Sequence, residues 1–139
     1  MARLLEQSRS LEVELERLRT RQLQEEAREL VTKAEGAMVV ARRDGVDPGA
    51  LRELALMIRA QGVERVGLMG SPDGEKVALV VALASGLEVN AKEIAGTVAR
   101  TVGGGGGGTA DLATAGGREV EGIDGALERL CELLAPNSP

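Results

Sequence analysis

The residues best suited to chemistry in this chain are glycines. Gly103 to Gly117 reads GGGGGGTADLATAGG: six consecutive glycines, a short segment led by Thr109 and Asp111, and a closing glycine pair. Glycine has no Cβ and loses more backbone freedom on folding than any other residue. Six in a row therefore predict neither a helix nor a well-packed strand. Such a run is either a loose linker or a place where backbone must meet something closely. A linker is expected to be Ser-rich and polar on both sides, whereas Leu112, Ala113, Thr114 and Ala115 follow here. That favours close approach by Gly103, Gly104, Gly105, Gly106, Gly107 and Gly108, with Gly116 and Gly117 closing the same place. Backbone N–H groups in such a loop can hold a phosphate or a base edge, as anion-binding nests do. A turn or packing requirement between helix and strand is the plainer alternative.

The side chains around this motif each have two readings. Asp111 caps the turn after the glycines or hydrogen-bonds a base. Arg42 and Arg43 reach phosphate or form a solvated pair beside Asp44. Lys92, Arg100 and Arg118 bracket the motif in sequence. Brought together they make a positive rim; each alone is ordinary surface. Glu25 and Glu26 lie on a charged helix and read as solvated.

Composition excludes several classes of function. The chain has no His, which removes imidazole acid–base catalysis, imidazole metal ligation and Ser-His triads. Cys131 is the only cysteine, so there is no intrachain disulfide and no thiolate cluster; it reads as a small core or half-buried residue. Without Phe, Tyr or Trp there is no aromatic platform for stacking bases. The net charge of −5 argues against a generic nucleic-acid binder, so any RNA contact has to be local. With 139 residues, 43% of them apolar, the chain is expected to form one globular domain with an appended element. It has no long apolar run, and charge appears within a few residues of its start; the expected location is cytoplasmic, without membrane contact.

The elements that must position these residues are legible from pattern. Residues 2–35 lack Gly and Pro and are rich in Leu, Glu, Arg and Gln, which predicts one long helix. Leu4, Leu11, Leu15 and Leu18 make a coiled-coil-like stripe, and Leu23, Ala27, Leu30 and Ala34 continue it, offset by one residue near Gln22. A helix of that length, about 50 Å, outreaches a small domain, so its N-terminal half is expected to pack on another chain or domain. Gly36 reads as its C-cap. Residues 37–41 form a strand. A helix follows with Asp47 as N-cap, Pro48 in its first turn and Gly62 as its stop. Residues 65–69 and 76–83 form a hairpin about GSPDGE. Asn90 caps a helix over 91–101, which the glycines end. Leu112 to Ala115 is a strand, and Asp124 caps a last helix to Leu134, with PNSP as its stop. The expected fold is α/β: a helical, coiled-coil-like part over 1–36, then a two-layer domain with a small mixed sheet over 37–139, the glycine motif lying at 103–117 as a loop.

These residues resemble a known family. GGGGGGTADLATAGG, with VVARRDGVDPGALRELALMIR and VGLMGSPDGEKVALVVA before it, is similar to the DHH-associated C-terminal domain of alanyl-tRNA synthetases. The resemblance spans essentially the whole chain. It implies a module that is not catalytic by itself, belonging to an ATP-dependent alanine–tRNA ligase. That module binds tRNA(Ala) at its outer corner, where the D and T loops meet, and bridges the aminoacylation and editing domains. On the RNA-binding reading the candidate contacts are the glycines, Thr109 and Asp111, with Arg42, Arg43, Lys92, Arg100 and Arg118 as the candidate phosphate holders. The resemblance implies no cofactor here, ATP and zinc belonging to the other domains, and in some members a part in dimerisation. The competing reading is a structural module whose helix makes a homodimer or docks an upstream domain, with no direct RNA contact. DHH phosphoesterases share the glycine motif but carry a His after the glycines; Thr109 and Ala110 stand there in this chain, which argues against phosphodiesterase activity.

Overall fold

A computed structural model describes residues 2–34, 38–87 and 89–134, with side chains from Arg9 onward. The expected cap Gly36, residue Ala37, the side chain of Leu4 and the PNSP tail lie outside what is described. The elements run α1 (Ala2–Thr32), β1 (Met38–Arg42), α2 (Pro48–Ala60), β2 (Arg65–Gly70), β3 (Val77–Leu83), α3 (Ala91–Thr101), β4 (Gly105–Gly108), β5 (Leu112–Gly117), a 3-10 turn (Val120–Gly122) and α4 (Ile123–Leu134).

The helices start where their caps dictate. The Asp47 carboxylate accepts the Ala50 N–H at 2.8 Å, and Pro48, which has no N–H to lose, opens α2. The Asn90 side chain accepts the Glu93 N–H at 3.2 Å and starts α3. The β2–β3 turn is set by Asp73, whose carboxylate accepts the Glu75 and Lys76 N–H groups. The last helix differs from expectation. Asp124 is not its N-cap: the 3-10 turn leads in, α4 begins at Ile123, and the Asp124 carboxylate is engaged by Arg42 instead.

The strands make one mixed sheet in the order β1-β2-β3-β5-β4. β1 and β2 are parallel, with α2 as the crossover, and the other pairings are antiparallel. The fold class is as expected, but the layering is deeper. Val77, Leu79, Val81 and Leu83 of β3 pack with α3 and α4, while Ala78, Val80 and Ala82 pack with α2 on the other face. Helices thus cover both faces, giving three layers. The reason lies in β3 itself: all seven of its residues are buried, so it has no polar face to turn to water.

The glycine run is also more ordered than its composition predicts. Gly105–Gly108 is an edge strand and not a loop. Its register is Gly105 opposite Gly116, Gly106 opposite Ala115, Gly107 opposite Thr114 and Gly108 opposite Ala113. Backbone hydrogen bonding to β5 offsets the entropy that glycine loses.

α1 is one helix with two environments. Ala27 and Leu30 are buried with α2, and Leu23 and Ala34 lie half-buried beside them. Leu11, Leu15 and Leu18 are 63%, 55% and 57% exposed.

Candidate nucleic-acid interface

The glycine segment begins as the cap of α3. Gly103 has φ 70°, its N–H donates to the Arg100 carbonyl, and the Gly104 N–H donates to the Ala99 carbonyl at 2.9 Å. These are the paired bonds of a Schellman stop, in which the left-handed residue is glycine because a Cβ would be strained there. The chain then enters β4 with its direction reversed.

In and around β4 the glycines divide by what surrounds them. A Cβ on Gly104 would land on the Gly116 carbonyl oxygen, on Gly106 it would meet Thr114 O and the Ala115 Cβ, and on Gly108 it would meet Leu112 O. At Gly117 it would collide with Val102. These glycines are required by the fold. Gly105 and Gly107 have nothing within 4 Å of a built Cβ and no positive φ. The fold places no steric demand on either of them.

The turn into β5 fixes which backbone groups face outward. The Thr109 N–H donates to the Leu112 carbonyl at 2.8 Å, and the Thr109 hydroxyl accepts the Leu112 N–H. Hydrogen-bonded pairs alternate along an antiparallel ladder. Counting from the 109–112 pair, Gly107 and Gly105 point their N–H and C=O at β5. Gly106 and Gly108 turn theirs to the outer edge, and both residues are exposed. The ribbon therefore carries N–H donors and carbonyl acceptors on an edge with no side chains.

Asp111 does not cap this turn with its side chain; Thr109 does. Among the described residues the Asp111 carboxylate accepts a single long bond, from the Ser85 hydroxyl at 3.4 Å. Its backbone carbonyl accepts from the Leu83 N–H and from Arg59 Nη1, which also reaches the Leu83 carbonyl. Together with the Ala91 N–H on the Ala110 carbonyl, this pins the turn to α2 and α3. Arg59 is an anchoring residue that the sequence reading missed. Its position in the last turn of α2 gives no sign of a target so far along the chain.

The candidate cations do not form one rim. Arg100 and Arg118 are both exposed at one end of the ribbon: Arg100 lies in the last turn of α3, and the Arg118 N–H donates to the Val102 carbonyl. Glu119 sits with them, its side chain beside Gly103. Lys92 lies at the other end of α3, about 12 Å from Arg100 along the helix axis, near the Thr109–Asp111 turn. Arg42 and Arg43 lie at the end of β1, four strand spacings from β4, or about 19 Å. Arg42 is engaged besides. Its Nε donates to Asp44 at 3.1 Å and its Nη1 to Asp124 at 2.9 Å. Those two carboxylates, Asp44 first, hold its guanidinium above its usual pKa.

Asp44 gives this network a pH dependence. The Ser71 N–H donated to its carboxylate at 2.9 Å, aided by Arg42, holds Asp44 below the usual carboxylate range. A depressed carboxylate stabilises the fold above the unfolded pKa, near 4, and that stability is lost as pH falls through the folded value. Asp44 is half-exposed, so solvent screening keeps the effect small. We expect Asp44→Asn to flatten the decline in Tm between about pH 4 and pH 2 in thermal melts of the two proteins. Parallel declines would show that Asp44 contributes nothing to it.

Among the described residues no group of three or more acidic or cysteine side chains is placed to hold a metal ion, and no helix is long and apolar enough to cross a membrane. The architecture is a mixed sheet between helices, edged by a glycine strand, with a long helix leading in. The DHHA1 domain model matches residues 35–135, and the chain belongs to that family. It is 34% identical over 138 residues to the alanine–tRNA ligase of Desulforamulus reducens, an alignment that covers 94% of this chain and 16% of the ligase. Its fold is similar to the crystal structure of the C-Ala domain from Aquifex aeolicus alanyl-tRNA synthetase, with a TM-score of 0.65 and 32% identity over 71% of this chain and 91% of that one. RecJ of Thermus thermophilus, solved with Mn2+, shares the fold alone: 24% identity and a TM-score of 0.58, over 84% of this chain and 17% of that one. The chain thus corresponds to about a sixth of the ligases it matches.

Proposed function

We propose that this chain is a tRNA-binding module of the alanine–tRNA ligase type. It receives the outer corner of tRNA(Ala) on the glycine ribbon and bridges the aminoacylation and editing domains of the ligase, without catalysing a reaction of its own. The observation that carries this reading is the pair Gly105 and Gly107, two glycines on an exposed edge for which the fold itself has no steric need. Contact with a bulky ligand supplies the missing reason. Backbone brought within about 3 Å of a base edge or a phosphate leaves no room for a Cβ. The outward N–H groups of Gly106 and Gly108 donate to phosphate or base acceptors, and Arg100 and Arg118 hold flanking phosphates. Shape-based contact of this kind suits a structured RNA and needs no aromatic stack.

Mobility shift of the 139-residue chain with tRNA, from about 50 to 200 mM salt, tests this. Two phosphate-holding arginines give a shallow slope in log–log form, about −1 to −2. Arg118→Ala should reduce it by about one unit, whereas Arg42→Ala should change neither affinity nor slope, because Arg42 is committed to Asp44 and Asp124. Absence of binding at low salt would reject the reading. The exposed leucines of α1 support an assembly role beside RNA binding, since they lie on a different element.

A further inference from the structure

A further glycine, outside the ribbon, also lacks a reason in the fold. Gly96 stands in the middle of α3, where glycine weakens a helix more than any residue but proline. A Cβ built on it meets nothing within 4 Å, and its φ is not positive. Gly49 and Gly125 face open space too, but each lies in the first turn of its helix, where helical bonding has only begun. Gly96 interrupts a helix that almost any other residue would make firmer.

Its place on α3 shows what surrounds it. α3 packs on β3, β5 and β4, and α4 packs on β1 and β2 of the same sheet face. α3 therefore has α4 on one flank and the free edge of β4 on the other. Thr101 marks the α4 flank: a Cβ on Gly122, in the turn leading into α4, would lie 3.3 Å from the Thr101 carbonyl oxygen. Lys92 stands half a turn around the helix from Thr101, and Gly96 follows one turn along from Lys92. Both are on the β4 flank. β4 runs alongside in the opposite direction. The Gly104 N–H donates to the Ala99 carbonyl at one end, and the Ala91 N–H to the Ala110 carbonyl at the other. The middle of the glycine ribbon thus lies beside Gly96. Lys92 and Arg100, both exposed, follow the same stripe one turn to either side of it. Glu93, the acidic residue of α3, is turned about 100° further around the helix than Lys92.

We propose that the seam between α3 and the outer edge of β4 is a track for one sugar–phosphate strand of the bound RNA, with Gly96 its point of closest approach on the helix. Lys92 holds a phosphate at one end and Arg100 one at the other, about 12 Å apart along the helix axis. Between them the outward N–H groups of Gly106 and Gly108 donate to phosphate oxygens. A phosphodiester strand fits because each of its units offers acceptors to cations and to N–H donors alike. Its bulk against the helix explains the missing side chain at Gly96. The proposal rests on the RNA-binding reading and adds to it the course of the strand and two residues, Lys92 and Gly96, on which that reading does not depend.

Thermal melts and tRNA mobility shift of Gly96→Gln separate this role from a structural one. Glutamine favours a helix, so the variant should melt about 2–4 °C above the parent. Its side chain projects into the seam, so it should bind tRNA about tenfold more weakly. The salt slope should stay as it is, because no cation is removed. A glycine that merely served the fold would not gain stability and lose binding in one substitution. Lys92→Gln should reduce the salt slope by about one unit without moving Tm. Gly125→Gln, on α4, is the control and should bind as the parent does. Melting of Gly96→Gln below the parent, binding by it within about twofold of the parent, or an unchanged slope in Lys92→Gln would each overturn the track. The RNA-binding reading survives any of these if changing Gly105 and Gly107 together to valine still weakens binding. Absence of tRNA binding by the parent rejects that reading and the track with it.

Discussion

Replacing Gly105 and Gly107 together by valine is expected to leave the chain folded and to weaken tRNA binding by about 30-fold. The size follows from holding the RNA off the backbone at two places, each worth about 1 kcal/mol. Folding should survive because a Cβ at either position meets no atom within 4 Å and neither residue has positive φ. Valine also suits an extended strand better than glycine does. The salt slope should not change, since no cation is removed. Gly106→Val is the informative contrast. Its Cβ would meet Thr114 O and Ala115 in β5, so it should destabilise the fold by about 1–3 kcal/mol whatever it does to RNA. Circular dichroism and thermal melts separate the two outcomes before binding is measured. If the double valine variant folds and binds tRNA like the parent, the ribbon is a packing device and the contact role assigned to it is wrong.

The second large effect lies in the core beneath α4. Leu130→Ala is expected to cost about 3–5 kcal/mol in denaturant titration. Leu130 is fully buried, and across from it on β2 stands Gly67. A Cβ on Gly67 would sit 2.7 Å from Leu130 Cδ2 and 2.7 Å from Leu134 Cδ1, so these leucines occupy the space a side chain at 67 would take. Truncating Leu130 opens a hole whose floor is a glycine, with no side chain there to relax into it. This gives a sharper test than a single loss of stability. Gly67→Ala alone should destabilise by crowding, by about 1–3 kcal/mol. In the Leu130→Ala background the same change should be neutral or favourable, because its methyl fills part of the hole. The double-mutant cycle should show a coupling of at least about 1 kcal/mol. Additive effects would mean that α4 shifts to close the gap and that Gly67 is not what seats it.

Much of the frame follows from local chemistry and is therefore written in the sequence. Asp47 with Pro48, and Asn90, mark helix starts because their side-chain and ring geometry acts within one turn. GSPDGE specifies its hairpin through Asp73 and Gly74 in the same local way. The absence of His and the single Cys mean that this chain supplies no imidazole and no thiolate pair of its own. The GGGGGGTADLATAGG motif with its flanks is sufficient to indicate the family, which the match over residues 35–135 bears out.

What the sequence left open depends on contacts between distant residues. Glycines carry no pattern of apolar and polar faces, so nothing local marks Gly105–Gly108 as a strand; the ladder to β5 makes it one. The same ladder separates Gly104, Gly106 and Gly108, which the fold requires, from Gly105 and Gly107, which it does not. Asp124 reads as a helix cap until Arg42, 82 residues away in the chain, takes its carboxylate. Arg42 and Arg118 look equally available in sequence. Strand order sets Arg42 on the β1 edge and Arg118 at the end of β5, so that of the two only Arg118 lies beside the ribbon. Local propensity acts over one turn of chain, whereas strand order, burial on two faces and the pairing of charges exist only once the sheet has closed.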